Sequence, residues 1–465
     1  MKKSNPSIVI LFKAIIAFSI LIMPAISTAQ TISAGEHHSL FLCSSGTIRS
    51  CGFNYSGQLG TSNNVYYSIP TQVSSINNAI AVVAGREFSM ALKSDSTVWS
   101  WGDNLFGQLG NGNNTDSNFP VQVNGLSSIK AISAAWRHGV ALKSNGTLMS
   151  WGENIYNQLG DGTAMSSYLP VPVSSITNVT AISCGALFTL ALKSDSTVWC
   201  WGHNADGQLG IGSTTSASVP VQITTLSGVI AISSGEDFAL ALKSDGTVWS
   251  WGRNIYGQLG NGNNNSSTVP VQISTLSGIV KIAAGHNLAL VSKNDNTVWS
   301  WGFNLYGQLG HGTNTDSNVP VQITSLNGVQ HLAAGYGHSI AILNNGTANT
   351  WGYNVYGQLC NGTVIDNNVP AATSGSLCTI AASVDQQDAA DEVMVYPNPF
   401  KDQITITGTS DGGVYYIYNL MGEIICNKMT QEGYSVIATK DFPAGVYFVH
   451  YNDGKKTYSS KIIRY

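Results

Sequence analysis

Residues 248–260 read VWSWGRNIYGQLG, that is Val248-Trp249-Ser250-Trp251-Gly252-Arg253-Asn254-Ile255-Tyr256-Gly257-Gln258-Leu259-Gly260, and nearly the same words stand fifty residues before and fifty after. Gly recurs at 52, 102, 152, 202, 252, 302 and 352, preceded six times by Trp and once by Cys51. Asn54 to Asn354, Gln58 to Gln358 and Pro70 to Pro370 keep the same step through seven copies, over 31–380. Self-similarity at a fixed period marks a repeat architecture.

Within one copy, Ala231–Gly235 and Phe238–Leu242 are short apolar runs, Ser244-Asp245-Gly246 signals a turn, and Thr247–Trp251 is a third run. Trp249 and Trp251 are two apart, so they share one strand face. After a Gly- and Asn-rich loop, Val269–Ile273 reads as an edge strand, where Pro270 is tolerated. Four short strands repeated seven times predict the blades of a propeller, since one blade cannot bury its apolar faces alone. Gly257 and Gly260 are expected where a Cβ would be forbidden, and Asn254 as a turn cap. Asn157 and Cys360 depart from the loop glycines and are expected to disturb local loop shape.

The pattern WGxNxxGQLGxG after an AxG…HSxAL run resembles the regulator-of-chromosome-condensation repeat family, whose members form seven-bladed β-propellers. The likeness covers about three quarters of the chain. It implies a fold and leaves function open, because that family includes nucleotide exchange factors, photoreceptors, enzyme inhibitors and scaffolds.

Composition narrows the class. Charged residues make up 10% of the 465, with a net charge of −4 and no internal Lys/Arg run, so nucleic-acid binding is disfavoured. Residues 1–29 read as a signal peptide: Lys2 and Lys3, an apolar stretch over 8–23, then Ser27-Thr28-Ala29 before Gln30. Seven cysteines without a CxxC pair suit an oxidising compartment rather than zinc. Cys43 and Cys51 lie in the first repeat, Cys360 and Cys378 at the end of the last, which opens two readings, a disulfide that locks ring closure or buried free thiols.

A polar linker over 381–391 precedes a different domain over 392–465. Alternating runs and turn residues there suggest a small Ig-like β-sandwich of about seven strands. Val395-Tyr396-Pro397-Asn398-Pro399-Phe400, the segment YNLMGEII, the run PAGVYFV and a basic closing strand are similar to a type IX secretion C-terminal sorting domain. That resemblance implies export across the outer membrane of a gram-negative bacterium by type IX machinery, and release or attachment at the cell surface. The expected architecture is all-β: a seven-bladed β-propeller over 30–380 and the C-terminal sandwich.

Three repeat positions vary while their neighbours hold. The first carries Glu36, Arg86, Trp136, Ala186, Glu236, His286 and Tyr336; the second His37, Glu87, Arg137, Leu187, Asp237, Asn287 and Gly337. The third carries Phe53, Asp103, Glu153, His203, Arg253, Phe303 and Tyr353. Of 26 charged residues between 31 and 380, nine fall at these positions, and aromatics join them. Such a mixture at strand ends predicts a partner-binding rim around one mouth of the ring. Phe106, Tyr156, Tyr256, Tyr306 and Tyr356 form a further aromatic series.

No catalytic motif, metal-ligand spacing or cofactor fingerprint stands out. His38, His138 and His338 occupy a slot that elsewhere takes Phe88, Phe188 and Phe238, so they read as core residues; Asp116 and Asp316 read as turn formers. Ala135-Trp136-Arg137-His138 resembles the motif of the plant ultraviolet photoreceptor, but the slot holds Trp once, which argues against light sensing. A cytoplasmic GTPase partner does not suit an exported chain. The expected function is a monomeric binding module for a protein or glycan. The alternatives are a secreted enzyme inhibitor and a glycan-active enzyme using Asp103, Glu153, Glu236 and Asp237.

Overall fold

The computed structural model describes residues 31–374, 394–396, 401–407, 414–419, 423–429, 434–452 and 457–464; the expected signal peptide and linker lie outside these. The chain divides into two units, Met1–Ala381 and Ala382–Tyr465. In the first, seven four-stranded antiparallel sheets follow one another, one per repeat, and none borrows a strand from another. Blade 5 is typical, with Val229–Ser234, Phe238–Lys243, Val248–Gly252 and Ser267–Gln272 paired in chain order. Its outermost strand pairs Ser250 with Val271, then slips before Gly252 meets Ser267. Pro270 stands in the slipped stretch, where a ladder N–H is not needed. Each innermost strand touches those of both neighbouring blades, and Ile32–Ala34 of blade 1 touches Val329–Ala334 of blade 7, so the ring closes. A central channel of about 1300 Å³ remains.

Apolar mass sits between blades. Phe238, Leu240 and Val248 of blade 5 pack with Ile279, Ala289, Val291 and Trp301 of blade 6, and Trp249 and Trp251 share one cluster with Phe188. Trp101, Trp151, Trp201, Trp251, Trp301 and Trp351 are fully buried. Each indole N–H donates at 2.8–3.0 Å to the carbonyl of the preceding blade's Gln58, Gln108, Gln158, Gln208, Gln258 or Gln308. The indole lies over a glycine of that blade: a Cβ on Gly110 would stand 2.8 Å from the Trp151 ring nitrogen.

Between blades 7 and 1 both partners of this contact change together. Cys51 stands in the Trp slot and Cys360 in the glycine slot, and they form a disulfide with Cα atoms 5.7 Å apart. The expected loop disturbance does not occur, because Cys360 (φ +52°) and Asn157 (φ +66°) keep the left-handed conformation of the glycines they replace. Cys43 is also disulfide-bonded, and Cys378 lies outside the described residues. Asn254 does more than cap a turn: its carbonyl accepts from Leu259 N at 2.8 Å, and its amide donates to Asn263 and Asn265 carbonyls at 2.9 and 3.0 Å.

The three core histidines are matched across interfaces. His38 bonds Ser89 at 2.9 Å, His138 bonds Thr189 at 3.1 Å, and His338 bonds Ser39 at 2.9 Å. Those hydroxyls donate onward to the carbonyls of Gln58, Gln158 and Gln358, so each accepts from His Nε2–H. Where Phe88, Phe188 and Phe238 fill the slot, the facing residues are Gly139, Ala239 and Ala289. Burial lowers all three histidines to about 3.

In the second unit, Met394–Tyr396, Gln403–Thr407 and Tyr434–Ala438 form one sheet. Ile424–Met429, Val414–Asn419, Gly445–Asn452 and Thr457–Arg464 form another. Ile404, Ile406, Ile417, Val449 and Tyr451 are buried together in one core. This is a small β-sandwich of seven described strands.

Two outcomes are expected. Removing the disulfide by Cys51→Ala is expected to cost about 2–4 kcal/mol. The double change Cys51→Trp with Cys360→Gly rebuilds the contact of the other six interfaces and should recover most of that loss in thermal melts. An unchanged Tm for the single variant would contradict the role assigned to the disulfide. The histidines add an acid sensitivity. Their folded pKa lies below 6.5, so the unfolded chain binds more protons and stability falls as pH drops from 6.5 toward 3. Each histidine contributes a slope of about 1.4 kcal/mol per pH unit over that window. His138→Phe with Thr189→Ala should remove about one third of the histidine-dependent slope, read by urea unfolding between pH 4 and 6.5.

Candidate functional site

The rim positions are set by the backbone. In every blade the residue after the third strand's glycine donates its N–H to the carbonyl of the second variable position: Phe53 to His37, Asp103 to Glu87, Glu153 to Arg137, His203 to Leu187, Arg253 to Asp237, Phe303 to Asn287 and Tyr353 to Gly337, all at 2.7–2.9 Å. The preceding glycines sit at φ of +99 to +111°, and a Cβ there would meet that carbonyl. The first variable positions are tied between blades. Glu36 N donates to Arg86 O, Arg86 N to Trp136 O, Ala186 N to Glu236 O, Glu236 N to His286 O, His286 N to Gly335 O and Tyr336 N to Gly35 O, at 2.9–3.3 Å. The side chains therefore stand on a hoop of hydrogen-bonded backbone that is open between Trp136 of blade 3 and Ala186 of blade 4. Glu36, Arg86, Trp136, Glu236, His286 and Tyr336 line the channel itself. The eleven other residues anticipated from the sequence are the companions that these bonds fasten beside them.

The rim is chemically divided. Over blades 1–3 it is ionic: Arg86 Nε meets Glu36 at 2.7 Å and its guanidinium lies 5.2 Å from the Trp136 ring centre. Arg137 Nε stands 3.9 Å from Asp103 and over Phe106. Burial raises the pKa of Glu87, with Glu36 adding to the effect, and burial also raises that of Glu153. In blade 5, Asp237 accepts from Gln208 at 2.9 Å and faces Arg253 at 3.6 Å; burial, then Glu236, pushes it up to about 6. Glu236 pairs with His286 at 2.7 Å and accepts from Asn287 at 3.1 Å.

From blade 5 round to blade 1 the rim is aromatic. Tyr256–Phe303 ring centres are 4.8 Å apart, Phe303–Tyr306 6.0 Å, Tyr306–Tyr353 4.5 Å and Tyr353–Tyr356 6.3 Å. Tyr356–Phe53 are 4.8 Å apart, and Phe53 continues to Tyr55 and Tyr66. His37 touches Phe53, Tyr336, Tyr353 and Tyr356 at 5.1–6.2 Å. Tyr256, Tyr306 and Tyr356 of the further aromatic series thus pack edge-on or tilted within the rim while remaining part-exposed.

The sequence reading passed over two features. Tyr55, Leu105, Ile155, Ile255, Leu305 and Val355 occupy one loop position and are 48–73% exposed, with the smaller Ala205 in the remaining blade. An apolar letter kept in each of seven Gly- and Asn-rich loops was the available signal, and the fold leaves that series in solvent. The second feature is the buried glutamine series. Each side-chain carbonyl accepts an N–H from two residues earlier, as Gln258 does from Tyr256 at 3.0 Å. The amide ends differ: Gln108 reaches Asp103, Gln208 reaches His203 and Asp237, and Gln258 reaches Asn287. Those of Gln58, Gln158, Gln308 and Gln358 have no partner among the described residues. Among the described residues no three His, Cys, Asp or Glu converge to hold a metal ion.

The family model of the RCC1-like domain matches residues 19–323 and 179–392, and that of the secretion system C-terminal sorting domain matches 394–464. No curated protein matches the chain by sequence. Among solved structures, human WBSCR16 is similar at 25% identity and a TM-score of 0.64, covering 71% of this chain and 93% of its own. Yeast RCC1 (Prp20), solved bound to Kap60, is similar at 22% identity and a TM-score of 0.65, over 81% of this chain and 92% of its own. Prp20p from Saccharomyces cerevisiae, in a study of its binding to Gsp1p and histones, gives 23% and 0.64, over 76% and 88%.

One rim group is open to direct test. A carboxyl raised to about 6 favours the folded state at low pH, below its ordinary value of 3.8, and that contribution is lost as pH rises through 6. Asp237→Asn is therefore expected to raise Tm relative to the parent at pH 8 and to lose that advantage at pH 4. An equal shift at both would show that the carboxyl is not strained by burial.

Proposed function

The chain belongs to the RCC1-like domain family and carries a secretion system C-terminal sorting domain, and from that premise we propose that it is an exported binding module which holds a protein or glycan on the rim of its propeller. The observation that carries this reading is the contrast between hoop and side chains. The backbone of the rim repeats from blade to blade, while the groups it presents range over Glu, Arg, Trp, His, Asp, Phe and Tyr. Groups held in place before contact lose little freedom on binding, which is how a rigid scaffold turns surface into affinity. The exposed apolar series from Tyr55 to Val355 sets one apolar group per blade, Ala205 in blade 4 excepted, two residues after the third rim position.

A binding role is favoured over catalysis because three of the four carboxylates considered for catalysis, all but Glu153, are engaged. Glu236 is held by His286 and Asn287, Asp103 by Gln108 at 2.7 Å, and Asp237 by Gln208 and Arg253. These are oriented recognition groups rather than a free acid and base flanking a reacting bond. The sorting domain supports export by type IX machinery, with delivery to the outer surface of a gram-negative bacterium or release from it.

The test is affinity capture with the mature chain beside a version carrying Ser at Arg86, Trp136, Glu153, His203, Arg253 and Tyr336. The expected result is a partner retained by the parent and weakened about tenfold or more in the variant. Circular dichroism and melting would verify that the variant is folded. Equal capture by both would overturn the rim reading.

A further inference from the structure

The geometry points to the aromatic arc over blades 6, 7 and 1 as a site for a neutral carbohydrate, stacked on Tyr353, Tyr356 and Phe53 and bonded through its hydroxyls to the buried amides of Gln308 and Gln358. This rests on the reading of the rim as a binding face and names the ligand class of one sector.

Three independent features converge there. The rings form a connected surface of partly covered faces, with Tyr356 central to it at 4.8 Å from Phe53 and 5.1 Å from His37. A sugar ring presents axial C–H groups of slight positive charge on one face, which suits the negative face of an aromatic ring. Beneath the rings lie two fully buried carboxamides whose N–H groups donate to nothing among the described residues. Repeat equivalence sets their direction. The same amide of Gln258 bonds Asn287, so Gln308 points at Gly337, which has no side chain to receive it, and Gln358 points at His37. Both are placed under the rim: a Cβ on Gly352, beside Tyr353, would stand 3.0 Å from Gln308 Cβ, and one on Gly52, beside Phe53, 3.1 Å from Gln358 Cβ. Native structures seldom leave buried donors without an acceptor, so two adjacent ones under an aromatic surface call for a ligand rich in small acceptors. His37 Nδ1 is a further buried atom without a partner at the same place.

Charge then selects among such ligands. The guanidinium bordering the arc is already paired, Arg86 with Glu36, and the His286 imidazole is held between Glu236 and Asn287. An acidic sugar, phosphate or sulfate would find no free counter-charge, whereas a neutral hexose or an oligomer of it needs none. A peptide on the same rings would offer backbone carbonyls flanked by Cα substituents, which cannot drop between the rings as a hydroxyl can.

The test uses the mature full-length chain on an array of neutral and acidic glycans, followed by calorimetry on the strongest hit. Neutral glycans are expected to bind, with affinity lost in Tyr356→Ala and reduced about tenfold or more in Gln358→Leu, the equivalent of one hydrogen bond of about 1.4 kcal/mol. Gln158→Leu removes the same loop bond in blade 3, away from the arc, and should leave glycan binding unchanged. Binding of acidic glycans alone, or equal loss in Gln158→Leu and Gln358→Leu, overturns the inference. A protein partner captured through the arc in place of glycans also overturns it while leaving the rim reading intact. A partner retained equally by the six-fold Ser rim variant and by Tyr356→Ala sinks both.

Discussion

The contact on which the molecule depends is an indole lying on a glycine of the blade before it, with its N–H closing onto a glutamine carbonyl. It is made six times in the same way. The large ring supplies apolar burial, the missing Cβ lets it come close, and the bond satisfies a buried carbonyl that also receives the Ser or Thr hydroxyl at several interfaces. A ring of blades is a chain of identical interfaces, so a weakness in one is a weakness in closure. At the seventh, where the first and last repeats meet, the Cys51–Cys360 disulfide replaces the indole-on-glycine pair within the same slot. The substitution puts a covalent link where the polypeptide itself supplies none.

The rim follows from the same regularity. Glycines at positive φ let each third strand turn sharply enough to bond the neighbouring loop, and the inter-blade bonds join those loops into a hoop. Chemical variety can then accumulate on the rim with little disturbance to the ring, since the bonds that form the hoop are made by the backbone. That separation allows an ionic sector over blades 1–3 and an aromatic one from blade 5 to blade 1 to sit on one scaffold. It also explains why charge, scarce elsewhere in the chain, concentrates at these positions.

Much of this was legible in the sequence. The step of 50, the paired Trp residues and the proline-bearing outer runs led to blade number and strand order, and the variable letters led to the mouth. Three things were not. A disulfide between first and last repeats was one reading of the cysteines, but that Cys51 and Cys360 together replace one indole-on-glycine pair is a relation across 309 residues that no single repeat displays. The match of His38, His138 and His338 with Ser89, Thr189 and Ser39, and of the three Phe with Gly or Ala, is a relation between adjacent blades, invisible within any one repeat. The exposed series from Tyr55 to Val355 was hidden because an apolar letter in a strand-rich protein is read as core.

The sequence by itself determined the ring: a 50-residue unit that cannot bury its own faces must stack, and seven of them with glycine at each tight approach close into a propeller. Only the tertiary structure decided which side chains face one another across blade interfaces and which rim groups cluster. Those contacts join residues fifty or three hundred apart, through distances that close only once the blades are packed. The local pattern prescribes a blade, whereas the pairing of charges, the run of aromatic rings and the unpartnered glutamine amides are properties of the assembled hoop.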